Sequence, residues 1–530
     1  MQHDMPQKKT PPAETTATPD RAPDHGPGTG YGWYALAVLL VVYALNFIDR
    51  QMLTIFAADI KRDLKISDAD FGFLYGTAFG VFYAVFGIPL GKLADRWHRT
   101  RLLALGIATW SAMTAMSGLA RGFPQIGLAR IGVGVGEATA GPCGYSLLAD
   151  FFPARRRATA IAIFSTGIYL GGGVALSLGT GLAHAWDHAL APGTRPLGLA
   201  GWQAAFLGLG LPGLVMALWV GSLREPRRGR FEAVPQPMPL ALPMPARVAW
   251  AAFVRDVGAI TPPFTLIAAA RRGAVALRAN LLVLGAVLLV AAGMTRLFGD
   301  PAQWIVLGLG VYAVASWAQA LRADDPEAYE RIWRNRALLG VNVGYGLTCA
   351  VGYSASAFMP LYAMETFHAS AAQIALVVGG GAAAGGALGV VFGGWLGDRL
   401  SDGNRHSRRV VVIMAALALT MAANAVLLTA HSLGLFYAVM FPLWFLTSAA
   451  MGGAAGTVVN IVPARLRATA TASFFLSTTM LGLALGPYAA GRISQASHSL
   501  WLGLASVQAV VPLALIMLFL AWRELARRES

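Results

Sequence analysis

The sequence predicts an all-α integral membrane protein in which two six-helix bundles are joined through an inserted two-helix hairpin, about 14 spans in all. The first observation is composition: 56% of the 530 residues are hydrophobic and only 13% are charged, whereas soluble domains carry about 25% charged residues. The second is a series of apolar runs of about 20 residues, the length that crosses a bilayer core. The third is a set of short phrases that occur in both halves of the chain.

The first half begins with a polar stretch and continues with six apolar segments. Residues 1–30 contain six prolines and no apolar run, so they are expected to form a disordered cytoplasmic tail. An N-terminal six-helix bundle is predicted over 31–222. Its segments lie near 33–57, 68–94, 101–120, 124–150, 158–183 and 201–222.

The second half repeats this arrangement after an insertion. A cytoplasmic linker is predicted over 223–280, with an amphipathic helix at the membrane interface in its Val248–Ala270 part. Apolar runs at 281–297 and 303–321 predict a transmembrane hairpin over 281–321, followed by a connector over 322–337. The C-terminal bundle is predicted over 338–523 and a tail over 524–530, with segments near 338–363, 371–398, 409–430, 433–460, 468–490 and 499–522.

Lysine and arginine in the short loops predict the orientation. One set of alternating loops carries 20 of these residues and the opposite set carries seven. Because cytoplasmic loops are enriched in Lys and Arg, both termini are expected in the cytoplasm, and the membrane is expected to be a bacterial inner membrane. The hairpin tip, TRLFGDPAQ, is then expected on the outer side.

Two repeated phrases indicate an internal duplication. PARRRATA at 153–160 and PARLRATA at 463–470 each follow the fourth segment of a half, and GKLADR and GWLGDR each close the second. Parallel repeats of this kind belong to transporters whose two halves rock about a central site. Both second segments also carry glycines at intervals of about four residues, which allow close helix approach: Gly72, Gly76, Gly80, Gly87 and Gly91, and Gly381, Gly385, Gly389, Gly393 and Gly397.

The phrase GKLADRWHRTR, from Gly91 to Arg101, resembles the signature loop of the major facilitator superfamily, with His98 where the family usually has glycine. The resemblance implies the major facilitator fold and a cytoplasmic gate in which Asp95 interacts across the two halves. A carboxylate at a helix C-terminus is unfavourable against the macrodipole, so Asp95 is expected to need a partner such as Arg96 or Arg99. The gate residues predicted in this way are Gly91, Asp95, Arg96, Arg99, Gly394, Asp398 and Arg399.

A narrower resemblance is to the spinster-like branch of that superfamily. It rests on NFIDR at 46–50, RIGVGVGEA at 130–138, ADFFP at 149–153 and LREPRRG at 223–229. The branch resemblance implies a lysophospholipid or sphingoid phosphate as substrate and transport linked to protons. Organic-anion and sugar-acid porters of the same superfamily have a similar aspartate in the first span and a similar GxGEA phrase in the fourth, so they remain an alternative.

Four charged residues lie within predicted spans: Asp49 and Arg50 in the first, Arg130 and Glu137 in the fourth. Charge inside a bilayer needs a partner or a water-filled cavity, and in the resembling family these two spans line the cavity. Asp49 and Arg130 are at similar depth, so we expect them to form an ion pair, with Arg50 available to Glu137 or to an anionic headgroup. Residues 49 and 50 point about 100° apart, which leaves open that one of them faces a neighbouring helix.

Further polar and aromatic residues are candidates for the rest of the cavity wall. The C-terminal half has almost no charge within its spans apart from Glu365, near an outer end. The cavity is therefore expected to be charged on its N-terminal side and apolar on its C-terminal side, which suits an amphipathic substrate. The secondary candidates are Asn46, Tyr75, Tyr83, Tyr169, Asn342, Tyr345 and Trp444.

The resulting hypothesis is a proton-linked secondary transporter of an amphipathic anion, with a non-transporting receptor or sensor as the alternative from another class. No cofactor or metal is expected apart from the coupling proton, and the chain is expected to be a monomer in the lipid bilayer. The net charge of +15 comes from clusters between apolar runs, a pattern that disfavours nucleic-acid binding. GVGVG at 132–136 lies inside an apolar span and lacks the GK[ST] of a nucleotide loop, and no sequence motif indicates an enzyme.

Overall fold

The computed structural model describes residues 29–152, 154–189, 196–228, 230, 245–374, 377, 379–401, 405–463 and 466–529. Within these ranges the chain is helical and has no β-strand, so the predicted all-α class is confirmed. The predicted N-terminal tail lies outside the described residues up to position 28, as do parts of the linker and of both PARxRATA phrases.

Helices occupy all six segments predicted for the first half. The second segment is one continuous run, α3–α4, which contains a π-helical turn at Phe73–Thr77. The fourth is broken at residues 138–139 into two helices. The helices are α1 Thr29–Ile55, α2 Ala57–Leu64, α3 Asp68–Gly72, α4 Ala78–Arg96, α5 Arg99–Gly118, α6 Phe123–Glu137, α7 Ala140–Phe151, α8 Ala154–Ala189 and α9 Gly201–Gly221.

The linker contains two helices, and the hairpin and second half follow. The fifth predicted segment of the second half, the α20–α21 run, also contains a π-helical stretch, at Thr478–Ala484. The helices are α10 Ala246–Gly258, α11 Phe264–Arg271, α12 Ala274–Phe298, α13 Pro301–Asp324, α14 Pro326–Trp333, α15 Arg336–Phe367, α16 Ala371–Ile374, α17 Gly380–Ser401, α18 His406–Leu428, α19 Leu433–Asn460, α20 Arg467–Ser477, α21 Gly486–Ser497, α22 Leu500–Val507 and α23 Val510–Glu529.

Eleven helices among the described residues are long and apolar enough to cross a membrane. The predicted spans outside this set are α5, the broken α6–α7 segment and α15. The fold is nevertheless the predicted duplicated bundle with an inserted hairpin, whereas the count of about 14 spans and the domain boundaries stay predictions.

Local sequence signals explain where several helices begin and end. Ser67 and Asp70 form a reciprocal capping box at the start of α3, because each side chain accepts the other residue's backbone N–H. The helices α15 and α21 both end at a histidine in the left-handed region, His368 with φ 51° and His498 with φ 53°. The hairpin tip is a two-residue turn at Gly299 and Asp300, both with positive φ, before Pro301 starts α13.

The two halves pack tightly at the end of the bundle opposite the arginine-rich loops. A Cβ on Gly72 would lie 2.5 Å from the carbonyl oxygen of Pro487, and one on Gly76 would overlap the carbonyl oxygen of Leu483. The backbones of α3, α21 and the two π-helical segments therefore touch directly. At the arginine-rich end of α4, a Cβ on Gly87 would meet no atom within 4 Å. The seam between the halves is thus closed at the arginine-poor face and looser toward the other.

Candidate functional site

The charged residues of α1 and α6 meet inside the N-terminal bundle. The Nε atom of Arg50 donates to the Oε2 atom of Glu137 at 2.7 Å, and the Glu137 side chain is 0% exposed. The GVGVG phrase also lets α6 pack directly against α5, because a Cβ on Gly136 would lie 2.7 Å from the backbone nitrogen of Trp110. The sequence prediction that Arg50 is available to Glu137 agrees with this geometry.

Three aromatic rings surround the guanidinium of Arg50. Its Cζ atom lies 4.9 Å from the ring centre of Phe47, 4.6 Å from that of Phe79 and 5.0 Å from that of Tyr83. Such contacts stabilise a cation most where it is removed from water. We call Phe47, Phe79 and Tyr83 the aromatic cage; it fixes the arginine without neutralising its charge.

Arg130 also lies near the ring of Phe79. Its Cζ atom is 5.1 Å from the Phe79 ring centre, and its Nε atom donates to the backbone oxygen of Leu74 at 3.4 Å. The residue is only 2% exposed. No carboxylate among the described residues lies within ion-pair distance of this guanidinium. Two arginines therefore lie near the same Phe79 ring, and only Arg50 forms an ion pair with Glu137.

The predicted Asp49–Arg130 ion pair is wrong. No ion pair forms between these two side chains, both of which the structure describes, and Asp49 instead accepts a hydrogen bond from the Thr114 hydroxyl of α5 at 3.0 Å. Arg50 turns toward Glu137 of α6, whereas Asp49 turns toward Thr114 of α5. Asp49 lines a small cavity with α5 and α9, whose other lining residues include Trp110, Ser111 and Gly213.

A cleft between the two halves lies beside the cage. Its cavity volume is about 70 Å³, and Gln51 and Thr54 of α1 line it beside Ser356 of α15. The Tyr75 hydroxyl donates to Ser356 at 3.1 Å and so connects the halves at the cleft wall. The remaining lining is mainly apolar or small: Ile55, Gly172, Pro360, Met364, Ile374, Gly379, Ala382 and Trp444.

The secondary candidates divide between this site and other places. Tyr83 belongs to the cage, Asn46 lies beside Glu137 without a hydrogen bond shorter than 3.5 Å, and Trp444 lines the cleft. Asn342 instead donates to Ser473 at 3.0 Å, and Tyr345 stacks on Phe474 at 5.2 Å, so both join α15 to α20 within the second half. The side chain of Tyr169 lies outside the described part.

The predicted gate residues are only partly described, because the side chains of Asp95 and Asp398 lie outside the described part. Arg99, expected as a partner of Asp95, is fully buried and pairs with Asp150 of α7 and with Glu225, whose Oε1 atom lies 2.7 Å from its Nε. Arg96 lies 3.6 Å from Asp256 of the linker helix α10. The described contacts of both arginines thus remain within the first half and the linker.

The other gate positions have simpler surroundings. A Cβ on Gly394 would meet no atom within 4 Å, and one on Gly91 would meet only the Pro142 ring at 3.9 Å. The guanidinium of Arg399 lies over the ring of Trp395 at 5.3 Å. These contacts show no bridge between the halves at the described gate side chains.

Sequence reasoning missed Phe47, Phe79 and Thr114. Phe79 is one of 25 phenylalanines in an apolar chain, so nothing in the sequence distinguishes it. Glu225 was present in the quoted phrase LREPRRG, and its charge next to a span was a usable signal. In the part of the chain that the structure describes, no group of three or more His, Cys, Asp or Glu residues could hold a metal ion.

Comparison with known proteins agrees with this architecture. The family model of the Major Facilitator Superfamily matches residues 39–321 and 341–530. An "MFS-type efflux pump" of Mycolicibacterium smegmatis is 25% identical over 90% of this chain and 87% of its own length. The "Probable L-galactonate transporter" of Escherichia coli is 29% identical over 38% of this chain and 42% of its own length. "Protein spinster" of Drosophila melanogaster is 26% identical over 38% of this chain and 31% of its own length.

Among solved structures, a bacterial homologue of the human lysosomal transporter spinster, in an inward-facing and unoccupied conformation, superimposes with a TM-score of 0.69. It is 23% identical, and the match covers 94% of this chain and 99% of the other. A peptide transporter, POT, gives a TM-score of 0.61 at 17% identity, over 93% of this chain and 94% of the other. At these identities the structures support the fold alone.

Proposed function

The chain belongs to the major facilitator superfamily of membrane transporters, and from that premise we propose that it is a proton-linked secondary transporter of an amphipathic anion such as a lysophospholipid. The observation that carries the proposal is that Arg50 and Arg130 lie near the same Phe79 ring, whereas only Arg50 has a carboxylate within ion-pair distance, Glu137. A buried guanidinium without an ion-pair partner in a low-dielectric interior favours an anion.

The headgroup is assigned to the arginines. A guanidinium donates two parallel hydrogen bonds to a phosphate or carboxylate, which a lysine cannot do. The aromatic cage holds the Arg50 guanidinium, and Gln51, the next residue along α1, lines the cleft. The apolar part of the substrate is assigned to the C-terminal wall of the cleft, at Pro360, Met364 and Ile374.

Proton coupling follows from the same geometry. When the substrate anion binds Arg50, Glu137 loses its partner at 2.7 Å, and an unpaired carboxylate buried in the bundle is costly unless it takes up a proton. Asp49 is a second proton carrier in the proposal, because its described partner is the neutral Thr114 hydroxyl. Anion binding and protonation therefore favour each other.

A sugar-acid porter is the second candidate. Relatives named as probable galactonate and galactarate/glucarate transporters align with this chain over 203 and 211 residues. The polar groups Gln51, Thr54 and Ser356 on the cleft wall suit a hydroxylated substrate. The receptor or sensor alternative receives no support, since these relatives are named as transporters or a pump.

The orientation completes the proposal. We place the arginine-rich loops and both termini in the cytoplasm of a bacterial inner membrane, with the chain acting as a monomer. On that assignment the described conformation, closed at the arginine-poor face, is inward-facing.

The test is uptake of labelled lysophospholipid into proteoliposomes with and without a pH gradient, for the wild type, Asp49→Asn and Glu137→Gln. We expect gradient-driven uptake in the wild type and its loss in Glu137→Gln. Inhibition of the measured uptake by unlabelled galactonate, and not by unlabelled lysophospholipid, would support the sugar-acid candidate. Lipid uptake that is the same with and without the gradient, and unchanged in both variants, would support the lipid substrate and reject proton coupling.

A further inference from the structure

The two halves of the bundle meet along two seams. At one, α3–α4 packs against α20–α21; at the other, α8 packs against α17. An element inserted between the halves, made of the linker helices α10 and α11 and the hairpin helices α12 and α13, lies on the first seam. We call it the linker–hairpin unit.

The tip of the unit is attached to the second half. The Tyr488 hydroxyl of α21 donates to the Asp300 carboxylate at 2.9 Å, and the Nε atom of Arg492 donates to the backbone oxygen of Phe298 at 3.0 Å. The rings of Trp304 and Tyr488 meet edge to face with centres 5.4 Å apart. These contacts hold the tip on α21 near the arginine-poor face.

The middle of the unit contacts both halves at once. The Thr77 hydroxyl lies 2.6 Å from the Oε1 atom of Gln303 and 2.7 Å from the backbone oxygen of Ala484, and the Gln303 amide donates to that same oxygen at 3.4 Å. Seven residues beyond Gln303 along α13, a Cβ on Gly310 would lie 2.9 Å from Val81 and 3.0 Å from Met480. Glycine at 310 thus lets α13 lie directly in the groove between α4 and the π-helical stretch.

The end nearest the arginine-rich face is attached to the first half. Ile260 and Trp317 pack with Val85 of α4 and Leu476 of α20 in one buried cluster. Asp256 of α10 lies 3.6 Å from Arg96. The linker and hairpin are themselves joined by a buried hydrogen-bond chain that runs through Thr265, Tyr312 and Asn280.

The other seam carries no comparable element in the described residues. There the interdomain cleft reaches Gly172 of α8 and Gly379 just before α17. Both helices also expose large apolar side chains, which is the surface that lipid acyl chains contact: Leu170, Val174, Leu178, Leu388, Val391 and Phe392.

We propose that the linker–hairpin unit seals the α4–α20/α21 seam against the bilayer, so that a lipid-like substrate reaches the Arg50–Glu137 site between α8 and α17. The seal stands on the contacts of the unit alone, whereas the route rests on the proposed function. The physical reason is that the Thr77 hydroxyl and the backbone oxygen of Ala484, which lie on this seam, are covered by Gln303 of the unit and would otherwise face acyl chains.

The test is photolabelling of the full-length protein in nanodiscs, with a phosphatidylcholine that carries an acyl-chain diazirine, read out by mass spectrometry. In the wild type we expect Val81, Val85, Leu476 and Met480 to be labelled about tenfold less than Leu388 and Val391, since labelling of a covered site follows its rare opening. Equal labelling of the two seams would overturn the seal.

The release variant is Asp300→Ala/Gln303→Ala/Trp304→Ala, and its matched control is Arg272→Ala/Asp324→Ala, which removes an exposed ion pair of the same unit. The release variant is expected to raise labelling at Met480 about fivefold and the control to leave it unchanged. Continued protection of the seam in the release variant would show that the seam closes without the unit and would reject its role.

A diazirine lysophospholipid then tests the route. Labelling at Met364 and Ile374 supports it, and labelling at Val81 or Met480 overturns it. If this probe labels neither place while the bulk lipid still avoids the seam, the seal holds and the lysolipid of the proposed function is rejected.

Discussion

The two halves share their loops but not their chemistry. GKLADR and GWLGDR end corresponding helices, and the two PARxRATA phrases follow corresponding segments. Yet the buried ion pair, the second arginine and the cage all belong to the first half, while the second half contributes Ser356, Trp444 and apolar residues to the cleft. The repeated phrases are common to both halves, whereas the buried charges described above belong to the first half alone.

The glycine stripes differ in the same way. In the first half, Gly72 and Gly76 contact α21 and the π-helical stretch of the other half. In the second half, Gly389 and Gly393 contact the backbone of α19 in their own bundle. One spacing therefore serves the interface between the halves in one case and packing within a single half in the other.

The largest expected effect breaks the chemical asymmetry. Arg50→Ala leaves Glu137 buried without its partner, and losing one member of such a pair costs about 3–5 kcal/mol of folding stability. We expect a much lower unfolding temperature and no gradient-driven uptake, measured on the same purified protein. Arg399→Ala in the second half, where the guanidinium lies over an exposed tryptophan, should leave both near wild type.

The double variant Arg50→Gln/Glu137→Gln sharpens this result. Removing both members of the pair should restore most of the stability lost in Arg50→Ala, because no unpaired Glu137 carboxylate remains, while uptake stays absent. A double variant that transports would show that the pair is only structural.

Much of this site could be predicted from the sequence, and the missing part has a physical cause. Length, hydropathy and repeated phrases determine which helices exist and which are equivalent, so α1 and α6 were correctly chosen as carriers of the charges. The sequence did not give the rotation of α1 about its axis, which decides that Arg50 faces Glu137 and Asp49 faces Thr114. That rotation is set by packing against Phe79 and Thr114, which no local pattern distinguishes.

The next prediction compares the two stripes. Gly76→Ala places a methyl group against the carbonyl oxygen of Leu483, so it should disfavour closure at the arginine-poor face. Gly389→Ala meets Phe445 within its own half and should lower stability, by about 2 kcal/mol. The readouts are labelling of an Ala382→Cys reporter from the arginine-poor side, and thermal unfolding. Equal labelling in both variants would contradict the distinction between the two glycine stripes.

The smallest expected effect concerns the Tyr75 hydroxyl, which joins the two halves at the cleft. Tyr75→Phe removes the hydrogen bond of 3.1 Å to Ser356, which is worth about 1 kcal/mol. The equilibrium constant for the closed arrangement should therefore fall about fivefold. Tyr345→Phe is the matched control, because that ring stacks on Phe474 inside the second half. Faster labelling of the Ala382→Cys reporter is expected in Tyr75→Phe alone. If both tyrosine variants changed the labelling equally, the effect would come from helix packing in general, and the Tyr75–Ser356 contact would have no special part in holding the two halves together.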